Sequence, residues 1–218
     1  MIISHRHRFI FFHNPITGSD ALRRYLDAWS DEPVVDFRAR MPDQPFHHYM
    51  NPEEAEYTFR IQGWNFNSYA RITCVRNPYT RLPALYDRIR KLDPVWRLKS
   101  TLGLSLPRFE NWLSDTSPNG TGGRGTPTQV WRRYGAWSAA DWCADRITHV
   151  IPIEKVARLM PPILRELDIP RPEDPEILSA PQSSPRALTP QAANLIGSRY
   201  ATDISAFGYA PFDISAAA

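Results

Sequence analysis

Residues Arg8–Trp29, RFIFFHNPITGSDALRRYLDAW, decide how the chain is read. Phe9-Ile10-Phe11-Phe12 is a short, unbroken apolar run, the pattern of a buried strand. His13 to Ser19 contains Pro15 and Gly18 and reads as a turn. Beyond it, Ala21, Leu22, Tyr25, Leu26 and Trp29 recur at helical spacing. A strand, a glycine-containing turn and a helix together aim free backbone N–H groups at an anion, and the helix dipole adds to the attraction. That makes the turn a candidate phosphate site. An ordinary strand-to-helix turn would carry the same pattern, so this stretch alone leaves both readings open.

Working outward, the same unit recurs. Ala70–Val75 (ARITCV) is rich in β-formers and runs into Arg76-Asn77-Pro78-Tyr79-Thr80-Arg81. Leu82, Leu85, Tyr86 and Ile89 then mark a helix. Pro83 is tolerated in a first turn, which favours Thr80 over Asn77 as the cap. Arg76 falls at the carboxyl end of its strand, the edge where open α/β sheets bind ligands. Glu32–Phe37 is a further strand candidate, and Arg146–Ile153 (RITHVIPI) another. Asn51-Pro52-Glu53-Glu54 has the cap, the proline and the acids of a helix start, running to about Phe59. Phe109, Trp112 and Leu113 suggest a short helix. Glu154–Leu167 is helical by period, with a break expected at Pro161-Pro162. Thr189-Pro190 opens a last helix, whose face would be Ala193, Ile196, Tyr200, Ile204 and Phe207, stopped by Gly208. Alternating strands and helices predict an α/β fold with a central parallel sheet flanked by helices. The 218 residues suit one domain, residues 1–218. Within it, 114–128 (SDTSPNGTGGRGTPT) is a mobile loop by composition.

Charge excludes some functions. There are 26 basic and 23 acidic residues, a net charge of +3, too mild to argue for nucleic acid. Only Lys91, Lys99 and Lys155 are lysines, so the chain prefers arginine. No apolar run reaches the length of a membrane span, and the four-residue apolar run near the start is too short for a signal peptide. A cytoplasmic protein without a membrane partner is expected. Cys74 and Cys143 are too few for a disulfide framework and lack metal-ligand spacing. His5 and His7 would share one strand face, but further ligands are missing nearby, so a solvated strand end is expected and no metal.

Several of these stretches together resemble the family-2 (carbohydrate, Golgi-type) sulfotransferases, which have a P-loop-like three-layer fold. That family's first motif, roughly H-x-P-K-T-[GA]-[GS]-T-S, is matched by His13-Asn14-Pro15-Ile16-Thr17-Gly18-Ser19-Asp20-Ala21. Its second, V-R-N-P-[YW]-x-R-L-x-S-x-Y, is matched by Val75 to Tyr86. His48 followed by an acidic helix resembles an H-x-[ST]-A-x-E segment, and Ile151-Pro152-Ile153-Glu154 a strand-to-Glu junction. Tyr200 to Tyr209 resembles the terminal Y-x-x-D-x-x-x-F-G-Y.

The resemblance implies transfer of a sulfuryl group from 3′-phosphoadenosine 5′-phosphosulfate (PAPS) to a hydroxyl or amine of a carbohydrate or small molecule. It requires no metal. Carried over, Pro15, Ile16, Thr17, Gly18, Ser19 and Asp20 would hold the 5′-phosphate. Arg76 and Ala84 stand at the 3′-phosphate positions, and His48 is the candidate general base. Two positions depart from the pattern. Ile16 replaces the lysine that neutralises the bridging oxygen, and Ala84 replaces a serine. Another arginine could reach the site, from among Arg6, Arg8, Arg23, Arg24 and Arg124. Alternatively, the chain is a non-catalytic or repurposed nucleotide- or anion-binding protein on the same fold. A P-loop kinase is disfavoured, because G-x-x-x-x-G-K-[ST] is missing. Acceptor contacts would come from 114–128, with Trp131 and Trp137 as possible sugar-stacking surfaces. A homodimer is a possible assembly.

Overall fold

The computed structural model describes residues 1–116, 136–181 and 187–212. The fold is mixed α/β, with a four-stranded sheet flanked by helices. In chain order the elements are β1 (Ile2–Ser4), β2 (Phe9–Phe12), α1 (Asp20–Leu26), α2 (Pro52–Ile61), β3 (Ala70–Val75), α3 (Pro78–Leu92), α4 (Pro94–Thr101) and α5 (Phe109–Ser114). Then follow α6 (Ala139–Cys143), β4 (His149–Pro152), α7 (Val156–Glu166), α8 (Pro190–Arg199) and α9 (Ala201–Ala206). Among the described residues no helix is long and apolar enough to cross a membrane.

Contacts divide the chain into two compact units. The first, Met1–Arg76 with Asp141–Pro181, holds the whole sheet. Its strand order is β1-β2-β3-β4. β2, β3 and β4 are parallel, with Phe11 opposite Ile72 and Thr73 opposite Val150. The expected all-parallel sheet is corrected at one edge, where β1 pairs antiparallel with β2 (Ile3 opposite Ile10). Only four residues join these two strands, too few for a parallel crossover. Alternation along β2 sends Phe9 and Phe11 into an aliphatic core with Leu22, Leu26, Met160 and Leu164, from α1 and α7. Phe12 faces the other way and meets Phe66 and Trp142 edge-on. Behind Phe66 stands Phe59 of α2, with ring centroids 5.5 Å apart.

α2 starts as the sequence predicts. Asn51 accepts from the Glu54 amide at 2.8 Å, and the Glu54 carboxylate accepts from the Asn51 amide at 3.1 Å, a complete capping box. The strand expected at Glu32–Phe37 does not form. Val35 makes an isolated bridge to His47, and the chain then enters a short 3₁₀ turn, Phe37–Ala39. Nor does the proline pair break α7. Pro161 and Pro162 lie inside a continuous helix that buries Val156, Met160, Ile163 and Leu164 on one side, and that buried face outweighs the two lost backbone bonds.

The second unit, Asn77–Ala140 with Gln182–Ala218, is helical in its described part. α3 begins at Pro78 and is capped by Asn77, whose side chain accepts from the Tyr79 amide at 3.0 Å. The expected cap at Thr80 is therefore corrected. Pro83 sits inside the helix, leaving the Tyr79 carbonyl without its usual partner four residues on. The expected single face from Ala193 to Phe207 is also two helices, α8 and α9, which meet at Tyr200.

Candidate functional site

The loop from His13 to Ser19 leaves the carboxyl end of β2. Parallel pairing sets Phe12 beside Thr73, so Arg76, three residues further on, leaves β3 at the same sheet edge. The sequence places its anion loop and its key arginine apart, and the sheet register brings them to one edge, inside one unit. Arg76 is 6% exposed, so its charge is shielded from bulk water and acts at short range with little screening.

The loop is closely made. Ile16 (φ 65°) and Gly18 (φ 86°) both take the left-handed conformation, and Thr17 between them does not. Left-handed residues alternating with others are the backbone pattern from which anion-binding nests are built. Gly18 is also required sterically, since a Cβ there would overlap the Pro181 ring. A β-branched residue in this region costs roughly 1–2 kcal/mol, so Ile16 is held there by its surroundings. The Thr17 hydroxyl donates to the Asn14 carbonyl at 2.9 Å and lies 3.1 Å from the Ser19 hydroxyl. Ser19 Oγ is 3.5 Å from His13 Nδ1 and makes no cap bond to α1. His13 Nε2 lies 3.5 Å from the exposed Asp20 carboxylate. The buried amide nitrogen Asn14 Nδ2 makes no hydrogen bond within the protein. Pro15 is buried and Ile16 half-buried.

His48 is the candidate base, and its neighbour His47 is the more deeply buried of the two. The His47 side chain is 1% exposed and meets Phe37 edge-on at 4.9 Å. Burial, with Arg40 nearby, pushes its pKa down to about 4. His48 is about one-third exposed, and its Nε2 is 3.9 Å from Asp36. Burial first, with nearby positive groups including Arg23, lowers its pKa as well. A neutral imidazole with an accessible edge can accept a proton; of the two, only His48 has both properties.

The arginines proposed to replace the missing lysine are sorted by position. Arg6 and Arg8 lie in the β1–β2 turn, at the opposite end of β2 from the loop. Arg8 is engaged there by the Tyr69 ring and hydroxyl and by the Ser68 hydroxyl. Neither can serve the loop. Arg24 is exposed on α1. Arg23 is the half-buried one, 4.0 Å from Asp27 and near enough to His48 to act on its charge. Arg124 and Trp131 lie outside the described residues, as do 117–128 of the expected loop. Residues 114–116 are held, because Arg199 donates to the carbonyls of Ser114 and Thr116 at 2.9 and 2.5 Å. Ala84 is half-buried on α3 in the second unit.

Neither His5 nor His7 stands in a strand. His5 Nδ1 is 2.8 Å from the Tyr69 hydroxyl, and His7 Nδ1 is 2.9 Å from the Leu167 carbonyl. Burial drives the Cys74 thiol up to about 12, which leaves it unreactive.

Sequence reading passed over Arg81 and Asp203. Arg81 is completely buried, and its Nη2 reaches Asp203 Oδ2 at 3.3 Å and the Trp137 carbonyl at 2.8 Å. Asp203 also accepts from Ser138 Oγ (2.6 Å) and from the amides of Ala139 (2.9 Å) and Ala140 (3.0 Å). Arginine and aspartate at fixed places in two distant motifs were the available signal.

Comparison with protein-family models, curated proteins and solved structures finds no match.

Proposed function

We propose that the chain is a sulfotransferase-like protein with a P-loop-like three-layer fold, which binds PAPS at the carboxyl edge of its sheet. It would pass the sulfuryl group to a hydroxyl or amine of a carbohydrate or small molecule. One observation carries this reading: the nest-forming loop and the buried Arg76 leave adjacent parallel strands at one edge. Phosphates are strong acceptors, and a nest with a shielded guanidinium supplies the matching donors. The backbone amides of Ile16, Thr17, Gly18 and Ser19 would face the 5′-phosphate, and Arg76 the 3′-phosphate. His48 would take the acceptor's proton. Arg23, half-buried and near His48, would offset charge on the leaving oxygen.

A second reading has its own support in Ile16, which offers no donor beyond its backbone. Loss of one well-placed donor to a developing charge costs on the order of 10²–10³ in rate. On this reading the edge binds a nucleotide or sulfated anion without chemistry.

Calorimetric titration with adenosine 3′,5′-bisphosphate, beside ATP, tests both. Micromolar binding selective over ATP, and lost in Arg76→Gln with an unchanged unfolding midpoint, is the expected result. No binding would overturn sulfuryl transfer from PAPS and nucleotide binding alike. Where binding holds, labelled PAPS with a panel of sugar and small-molecule acceptors separates them. Product from the wild type establishes transfer; product only from Ile16→Lys establishes the non-catalytic reading.

A further inference from the structure

Among the described residues, the large exposed hydrophobic side chains are concentrated on and beside α4. Eight large hydrophobic side chains are exposed among the described residues, and five of them fall between Leu92 and Leu104. Leu92 is 50% exposed, Val95 59%, Leu98 60%, Leu102 63% and Leu104 54%. Isolated exposed leucines are ordinary, but a contiguous row marks an interaction surface. Val95, Leu98 and Leu102, spaced three and four apart, form one stripe.

The stripe belongs to a well-made helix. Asp93 caps it, accepting from the Trp96 amide at 3.0 Å, and Pro94 fills the first position. At the far end Gly103 (φ 68°) turns the chain. The Gly103 amide donates to the Ser100 carbonyl at 3.1 Å and the Leu104 amide to the Lys99 carbonyl at 2.8 Å, a Schellman closure. Trp96, the one buried residue of α4, packs edge-on against Tyr86 at 5.6 Å. The helix is thus rigid, pinned on one side, and presents its aliphatic row to solvent.

Charge indicates what covers it. Arg88, Arg90, Lys91, Arg97, Lys99 and Arg108 are all exposed in the stretch of chain that carries the stripe. Three acids share the segment, Asp87, Asp93 and Glu110, and none is exposed; Asp93 is buried as the cap. Two of the chain's three lysines are in the rim. A second copy on this face would set one basic rim against another, which disfavours self-association. The row is purely Leu and Val, without the aromatic anchors that dominate protein interfaces. Aliphatic residues rimmed by cations suit an anionic lipid surface.

We propose that α4 docks on an anionic phospholipid membrane, with Val95, Leu98 and Leu102 at the acyl boundary and the basic rim on headgroup phosphates. This is adsorption: eight residues of helix span about 12 Å, far short of the ~30 Å hydrocarbon core. The inference is independent of the nucleotide site.

Co-sedimentation of the full chain with vesicles tests it. One set is phosphatidylcholine alone, the other is phosphatidylcholine mixed with phosphatidylserine. Binding is expected to the anionic vesicles only, and to weaken as salt rises. The triple variant Val95→Ser, Leu98→Ser, Leu102→Ser should bind at least about tenfold more weakly. Removing Lys91 or Lys99 as Lys→Gln should cost about fivefold each. All these positions are exposed, so unfolding midpoints should hold. Failure to bind either vesicle, or equal binding by wild type and triple variant, overturns the proposal. So does a vesicle-inert protein that forms a dimer broken by the triple variant, or one that instead takes up an acidic protein.

Discussion

Two buried polar clusters among the described residues are built differently. Around Asp203 every carboxylate lone pair has a use: Ser138 and Ala140 donate to one oxygen, Ala139 and Arg81 to the other. Tyr200 seals the group, its hydroxyl donating to the Ala136 carbonyl at 2.6 Å and its pKa raised to about 12 by burial. At the carboxyl edge of the sheet matters differ. Both ring nitrogens of His47 and the amide nitrogen of Asn14 are buried without a hydrogen bond, and Ile16 holds a strained backbone. Unmade bonds and strain persist where the surroundings enforce them, and they gather at sites kept for a ligand. Arg81 also keeps Nε and Nη1 buried without a hydrogen bond, so the contrast is between a saturated carboxylate and a loop whose backbone is strained as well as unpaired.

The largest effect should come from the Asp203 cluster. Asp203→Asn keeps the shape but removes the charge and turns an acceptor into a donor facing donors. It should cost about 3–5 kcal/mol in urea unfolding. Arg81→Met should cost a similar amount, and the double variant Arg81→Met/Asp203→Leu less than the sum. If Asp203→Asn lost under about 1 kcal/mol, this cluster would be no more than a surface-grade ion pair and the contrast would fail.

Next comes a pH effect from the other side. His47 is held near 4 in the folded protein, whereas a free histidine titrates near 6.5. Between those values the unfolded chain binds a proton that the folded chain refuses. This contribution to stability is therefore full above about 6.5 and lost progressively as pH falls to about 4, for a total of about 3 kcal/mol. His48, also lowered, acts in the same direction. Urea midpoints in neutral and mildly acidic buffer should fall together much less in His47→Phe than in the wild type. An unchanged slope in the variant would remove His47 from the unsatisfied cluster.

The two clusters were legible to different degrees. The strand β2 and the caps at Asn51 and Thr189 could be read because each rests on local pattern: an apolar run, or one side chain bonding an amide two or three residues on. What failed was what distant packing decides. Glu32–Phe37 has strand composition but finds only one bridging partner, and α7 keeps its prolines because its buried face compensates them. Arg81 and Asp203 are 122 positions apart, and no local signal joins them. At the site, Arg76 was placed correctly at its strand end, but Arg6 and Arg8 were offered for a loop at the far end of β2. Their place before Phe9–Phe12, with the loop after it, already set arginines and loop at opposite ends of the strand.

A smaller effect tests the loop's close approach. Gly18→Ala adds a methyl that overlaps Pro181 at a φ alanine disfavours, and should cost about 2 kcal/mol. Pro181→Ala should recover part of that loss in the double variant. Full tolerance of the single change would mean that the loop has room to move, and the nest geometry would no longer be a fixed property of the chain.

Ile16→Gly should have the least effect on stability, and that small size is informative. Glycine relieves roughly 1–2 kcal/mol of left-handed strain. It gives back about 0.5–1 kcal/mol in chain entropy and some apolar contact from a half-buried side chain. The sum is near zero, whereas deleting a well-packed isoleucine costs about 2–5 kcal/mol. A midpoint that scarcely moves would mean that the loop backbone is shaped by Gly18, Thr17 and Asn14, with Ile16 carried along. Titration with adenosine 3′,5′-bisphosphate should then be unaltered, since only amides at that position face the phosphate. A loss of several kcal/mol would instead make Ile16 a packing residue of the first unit. The left-handed turn would then exist to seat its side chain, and the resemblance between the two buried clusters would become closer than their difference.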